Sequence, residues 1–160
     1  MYRRILVPVD GSDASMVGVA HASSLAKDQN AQLRILNVVD ALLMSPALME
    51  AAGADLTRAL KYTRAEGKKV LEEARAIAEK AGARVELAQV DGRGRVVSDV
   101  IVADAKRSKS DLIVMGTHGR RGLNRLLLGS DAERGLREAR VPVLLTREIA
   151  AATKGRRRRT

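Results

Sequence analysis

Tyr2-Arg-Arg-Ile5-Leu-Val-Pro8-Val9-Asp10-Gly-Ser12-Asp13 opens the chain as an apolar, β-branched run that gives way at once to turn and helix-start residues. A short run of this kind, bounded by Asp-Gly, reads as a buried strand over Tyr2 to Val9, and the Ser-Asp pair starts a helix from about Asp13 to Asp28. The pattern then recurs. Strands are expected over Gln32 to Val39, Ala83 to Val90, Asp111 to Gly116 and Val141 to Thr146, with helices at about Leu56 to Ala81, Val96 to Ser108 and Asp131 to Ala139. On the longest helix Leu56, Leu60, Val70, Leu71, Ala74, Ile77 and Ala78 keep helical spacing, and Gly82 stops it. Strands alternating with helices imply parallel βαβ units, right-handed crossovers and helices on both sheet faces. The expected class is α/β, a three-layer doubly wound domain around a five-stranded parallel sheet.

The stretch from Asp40 to Asp55 follows neither period and is long for a plain connection. Two readings stand: a short helix over a binding site or on a partner, and a surface connection whose apolar residues tuck in locally.

Composition sets the limits on function. A chain of 160 residues fits one domain, which at about this size buries roughly 68 to 70% of the surface its unfolded form exposes. Apolar residues make up 46% of it, yet Tyr2 and Tyr62 are the only aromatics, so the core is built from Val, Leu, Ile, Ala and Met. That scarcity counts against stacking platforms for single-stranded nucleic acid and against a sandwiched flavin ring. The absence of cysteine excludes disulfides and thiolate chemistry, and His21 and His118 lie too far apart in sequence to make a zinc site unaided. No apolar run reaches the 18 or so residues of a membrane span, and Ile5-Leu-Val is too short for a signal peptide; a cytoplasmic protein without membrane contact is expected.

The formal charge is +10, but Lys154 and Arg156 to Arg159 supply half of it within one terminal tail. We therefore divide the chain into a folded domain over 1–147 and a basic tail over 148–160 that is expected to be disordered. Sequence-specific nucleic-acid binding is not expected from such a tail.

Gly116-Thr-His-Gly119-Arg-Arg-Gly122-Leu-Asn-Arg-Leu-Leu-Leu-Gly129-Ser130 carries the functional information, entered from the strand Asp111-Leu-Ile-Val-Met115. Gly116 ends a strand where a ligand can approach backbone, Gly119 can expose its amides, and Gly129 presents N–H groups at the start of the next helix, where Ser130 adds a hydroxyl. A helix N-terminus offers unpaired N–H donors and about half a positive charge, which attract phosphate. The competing reading makes Gly116 and Gly119 an ordinary turn and Ser130-Asp-Ala-Glu133 a capping box. Arg120, Arg121 and Arg125 are placed to clamp a polyphosphate or to be solvated.

This loop, a glycine, two residues, a glycine, nine residues, a glycine and a serine, resembles the nucleotide loop of universal stress proteins. The resemblance extends to Ile5-Leu-Val-Pro8-Val9-Asp10-Gly-Ser12 and to the strand end Leu36-Asn-Val38-Val-Asp40, and so covers nearly everything except the tail. It implies strand order 3-2-1-4-5 and an adenine nucleotide, ATP first with AMP or ADP as alternatives, bound where the order reverses between strands one and four. In those terms Pro8, Val9 and Asp10 border adenine or ribose, the Val38 backbone meets the base, and Met115 and Gly116 face ribose. Gly119, Arg120, Gly129, Ser130 and Asp131 would then lie around the phosphates.

The chain departs from the family pattern at Asp131, an anion beside the phosphate site that would repel triphosphate without a divalent cation between them; Mg²⁺ dependence follows from that. It departs again at Asn37, where the family often has histidine, and at Val96, where it often has proline. Catalysis is not required by this reading. No GxxxxGK[ST] loop is present, and slow ATP hydrolysis at Asp10 or Asp13 is the enzymatic alternative; nucleic-acid association through the tail is the other. Val141 to Thr146 would form a sheet edge with Pro142 only at its start, and antiparallel pairing of two such edges predicts a homodimer, as the resemblance also implies.

Overall fold

The computed structural model describes residues 1–39, 46–92, 95–116, 137 and 139–147, with the backbone alone over 46–57. Strands β1 (Arg4–Pro8), β2 (Gln32–Val39), β3 (Arg84–Asp91), β4 (Leu112–Gly116) and β5 (Val143–Thr146) alternate with helices α1 (Asp13–Asp28), α2 (Pro46–Lys80) and α3 (Val97–Ser108). They form one five-stranded sheet of order β3-β2-β1-β4-β5 in which every adjacent pair is parallel. This is the α/β class and the strand order expected. The expected helix over 131–139 lies outside the described residues apart from its last few positions, as does the tail over 148–160.

Successive side chains of a strand point to opposite faces, which explains why these strands read as continuous apolar runs: both faces are covered. Ile5, Val7 and Val9 join Leu33 and Ile35 against Val19, Ala22 and Ala26 of α1 and Leu71, Ala74 and Ala78 of α2. Leu6, Leu36, Ile113 and Met115 instead meet Ile101 and Ala105 of α3. Each fully buried aliphatic side chain contributes about 1.5 to 3 kcal/mol relative to exposure.

The face under α3 also carries charge. Arg34 of β2 donates to both carboxylate oxygens of Asp104 on α3, through Nε at 2.7 Å and Nη2 at 3.1 Å, and also pairs with Glu86 of β3. Arg107 caps the same carboxylate from the next turn of α3. Burial pushes the Asp104 carboxyl up, but the Arg34 and Arg107 hydrogen bonds outweigh it and hold the group below its ordinary value. Conversely, the bond to Asp104 holds Arg34 above its own.

Helix α2 begins at Pro46, not near Leu56, so much of the unassigned stretch after Asp40 is helix. Proline suits the first helical position because its missing N–H would have had no partner there, and Ala47 to Ala52 are strong helix formers; Gly53 is absorbed inside the helix. Residues 40–45 lie outside the described set. Strand β5 starts at Val143, after Pro142, whose carbonyl accepts from Ile113 N at 3.0 Å. Val96 caps α3 and does not begin it.

Candidate functional site

A parallel sheet brings the carboxyl ends of all its strands to one side, and here the order reverses between β1 and β4. In such sheets ligands bind at that reversal. The end of β1 runs into a tight turn: the Asp10 carboxylate accepts from Ser12 N at 3.0 Å and from Ser12 Oγ at 2.6 Å. Ser12 in turn caps α1 by accepting from Ser15 N at 3.2 Å. Gly11 between them has φ +85, and a Cβ there would stand 2.9 Å from Val70 of α2. The turn therefore admits glycine for its backbone and for its neighbour alike.

The end of β4 is tied to the same helix. A Cβ on Gly116 would come within 2.7 Å of the Ala14 backbone, so β4 and the first turn of α1 touch backbone to backbone. Gly18, one turn further along, leaves room for Thr146 Oγ1 of β5, which donates to the Met115 carbonyl at 3.2 Å. Asp10 and Gly116, remote in sequence, are thus both fixed against the N-terminus of α1, whose free amides and positive dipole end open on this side of the sheet.

A polar tie beneath this region was not anticipated. Asn37 of β2 donates through Nδ2 to the Val9 carbonyl at 3.0 Å and accepts from Gln89 of β3 at 3.3 Å, while Gln89 donates to the Arg64 carbonyl of α2 at 2.9 Å. A Cβ on Gly67 would lie 2.2 Å from Asn37 Oδ1, which explains a glycine inside a helix. Two sequence signals pointed here: a lone amide in the apolar strand Leu36-Asn37-Val38, and an isolated glycine in a helical pattern. At the strand ends Arg64 pairs with Asp91 at 3.0 Å.

Pro8, Asp10, Val38 and Gly116 are half-buried at the strand ends, as a lining would be. Val9 and Met115 are core side chains, packed into opposite faces of the sheet, so only their backbone can face a ligand. Val38 pairs with Val90 in the β2–β3 ladder, and its side chain packs on the α3 face. Gly119, Arg120, Gly129, Ser130 and Asp131 lie outside the described residues, as do His118, Arg121 and Arg125. Among the described residues no cluster of His, Asp or Glu could hold a metal ion, and no helix is long and apolar enough to cross a membrane.

The model of the universal stress protein family matches residues 1–147. A universal stress protein of Methanocaldococcus jannaschii is 36% identical over 148 residues, spanning 92% of this chain and 84% of its own. Among solved structures, a universal stress protein family member from Burkholderia pseudomallei is 32% identical with TM-score 0.73, over 91% of this chain and 96% of that one. A universal stress protein solved in complex with cAMP is 28% identical with TM-score 0.67, over 91% and 97% of the two chains.

Proposed function

The chain belongs to the universal stress protein family, and on that footing we propose that the crevice between the carboxyl ends of β1 and β4 binds an adenine nucleotide as a reversible switch. The observation that carries this reading is the anchoring of both Asp10 and Gly116 on the first turn of α1, at the point where the strand order reverses. A relative holding cAMP supports the adenine class.

The residues present suit such a ligand. The half-buried Asp10 carboxylate can accept from a ribose hydroxyl or an adenine amino group, the backbone near Val38 can pair with the base, and the strand end at Gly116 leaves the sugar close to the main chain. Gly119, Gly129 and Ser130 would donate N–H and hydroxyl groups to phosphate oxygens, with Arg120 beside them. ATP is the preferred form, and Asp131 would help to hold a Mg²⁺ ion, whose charge would offset the repulsion between that carboxylate and the phosphates. The folded unit ends near residue 147, and 148–160 form a basic appendage. Two copies associate through β5, an edge strand on which Leu144 is 42% exposed.

Displacement of a fluorescent ATP analogue tests the ligand class. ATP, AMP and cAMP should compete and GTP should not; equal displacement by GTP would refute adenine recognition. Sedimentation at about 10 μM should give a dimer that Leu144→Lys converts to monomer, and a monomeric parent chain would contradict the edge pairing.

A further inference from the structure

At the end of the sheet opposite the nucleotide crevice, the five strands begin and α1, α2 and α3 end, and that end is cationic. Backbone contacts fix its layout: the Asp111 carboxylate accepts from Arg3 N at 2.8 Å and Arg4 N at 3.0 Å, Arg4 donates to the Ser108 carbonyl at 3.2 Å, and Arg84 donates to the Asn30 carbonyl at 2.6 Å. Arg3, Arg4, Lys27, Arg84, Lys106 and Lys109 are all exposed there. None of the six forms an ion pair with a described carboxylate.

The attraction of helix C-termini for cations accounts for Lys27 and Lys106. It does not account for Arg3, Arg4 and Arg84 at strand starts, nor for Lys109, which follows α3 at φ 55, a backbone conformation that glycine or asparagine would adopt at lower cost. Asp111 is occupied by backbone N–H groups, Asp104 by Arg34 and Arg107, and Glu79 by Arg75, so among the described carboxylates at this end the exposed Asp28 beside Lys27 is the one left to offset the row.

We propose that this pole, with Arg3, Arg4, Lys27, Arg84, Lys106 and Lys109 aligned across the strand starts, binds the phosphate backbone of a nucleic-acid duplex without reading its sequence. With strands about 4.8 Å apart, the row from β3 to β4 spans about 14 Å, along which a duplex presents about 8 phosphate charges. Guanidinium groups held at fixed positions match phosphate oxygens with paired donors. The surroundings favour a duplex over other anions. Tyr2 is packed against the core, so no aromatic face is offered to an unpaired base. Of the exposed large apolar residues among those described, only Met1 and the β5 residue Leu144 lie toward this end, which is little to enter a lipid headgroup layer. The proposal is independent of the nucleotide site and differs from association through the tail.

Fluorescence anisotropy of 20-base-pair DNA and RNA duplexes with the full chain, from 50 to 200 mM salt, tests it. One variant carries Arg3→Gln, Lys106→Gln and Lys109→Gly; a second carries serine at each of Arg156 to Arg159. The parent chain should bind with steep salt dependence, and the relative strength of the two duplexes identifies the nucleic acid. The pole variant should lose at least tenfold in affinity, with the salt slope on DNA reduced by about 0.9 for each cation removed, while the tail variant keeps most of its binding. No binding at 50 mM salt, binding lost only in the tail variant, or binding to phosphatidylserine vesicles in place of duplex would each overturn the assignment.

Discussion

The face of the sheet under α1 and α2 is closed by aliphatic side chains and close backbone approach, whereas the face under α3 holds the buried Arg34–Asp104 pair. The close contacts that fix the candidate site lie with the first, the Asp10 turn pressed on Val70, Gly116 against Ala14 and Asn37 over Gly67, while Val38 and Met115 pack on the second. The charged face holds α3 in place without reaching the strand ends. One sheet therefore separates anchoring by charge from the geometry of the site, and substitutions on the two faces should differ in kind.

The largest effect on stability is expected on the charged face. Asp104→Ala leaves Arg34 buried with only the half-exposed Glu86, and should cost about 3 kcal/mol in urea unfolding while leaving nucleotide affinity within twofold. Because the folded Asp104 carboxyl lies below its unfolded value, its contribution is complete above the ordinary carboxylate range and fades as pH falls through the folded value. The stability gap between parent and Asp104→Asn should accordingly be flat near neutrality and narrow in acid. A gap that widened in acid would reverse the sign assigned to Asp104.

Next comes Gly116→Ala, whose Cβ would meet Ala14 backbone that cannot swing aside; about 2 kcal/mol of stability and at least tenfold of nucleotide affinity should go together. Loss of stability without loss of affinity would separate Gly116 from the site. Asn37→Leu should cost about 1 to 2 kcal/mol, since the Val9 carbonyl loses its donor, with a smaller fall in affinity as the Asp10 turn loosens. If Asn37→Leu were neutral for both, the polar tie would be packing only.

The alternation of strands and helices, α1 and β2 were legible because covered strands and capped helices leave local signals, an apolar run closed by Asp-Gly and then Ser12 as cap, whereas the sheet order came with the family resemblance. The start of α2 was not, because Gly53 and Pro46 read as breakers when one sits inside a helix and the other begins it. Asp10 and Gly116 were singled out by the family resemblance of the first turn and the glycine loop, and the structure gives each a structural duty as well: Asp10 organises the α1 cap through an Asx turn that its place before glycine also suits, and Gly116 admits Ala14. The Asn37–Gln89–Gly67 tie is a contact among three elements, and periodicity within any one of them carries no trace of its partners. Arg34 and Asp104 were missed for the same reason.

Calorimetric titration of the full chain with ATP, ADP, AMP and cAMP, with and without Mg²⁺ and beside a Gly129→Val variant, tests the nucleotide site most directly. Micromolar binding of ATP, equivalent to about −8 kcal/mol, strengthened by Mg²⁺ and abolished by Gly129→Val, is the predicted result. Heat-silent titrations with all four nucleotides, or affinity unchanged in the variant, would contradict it.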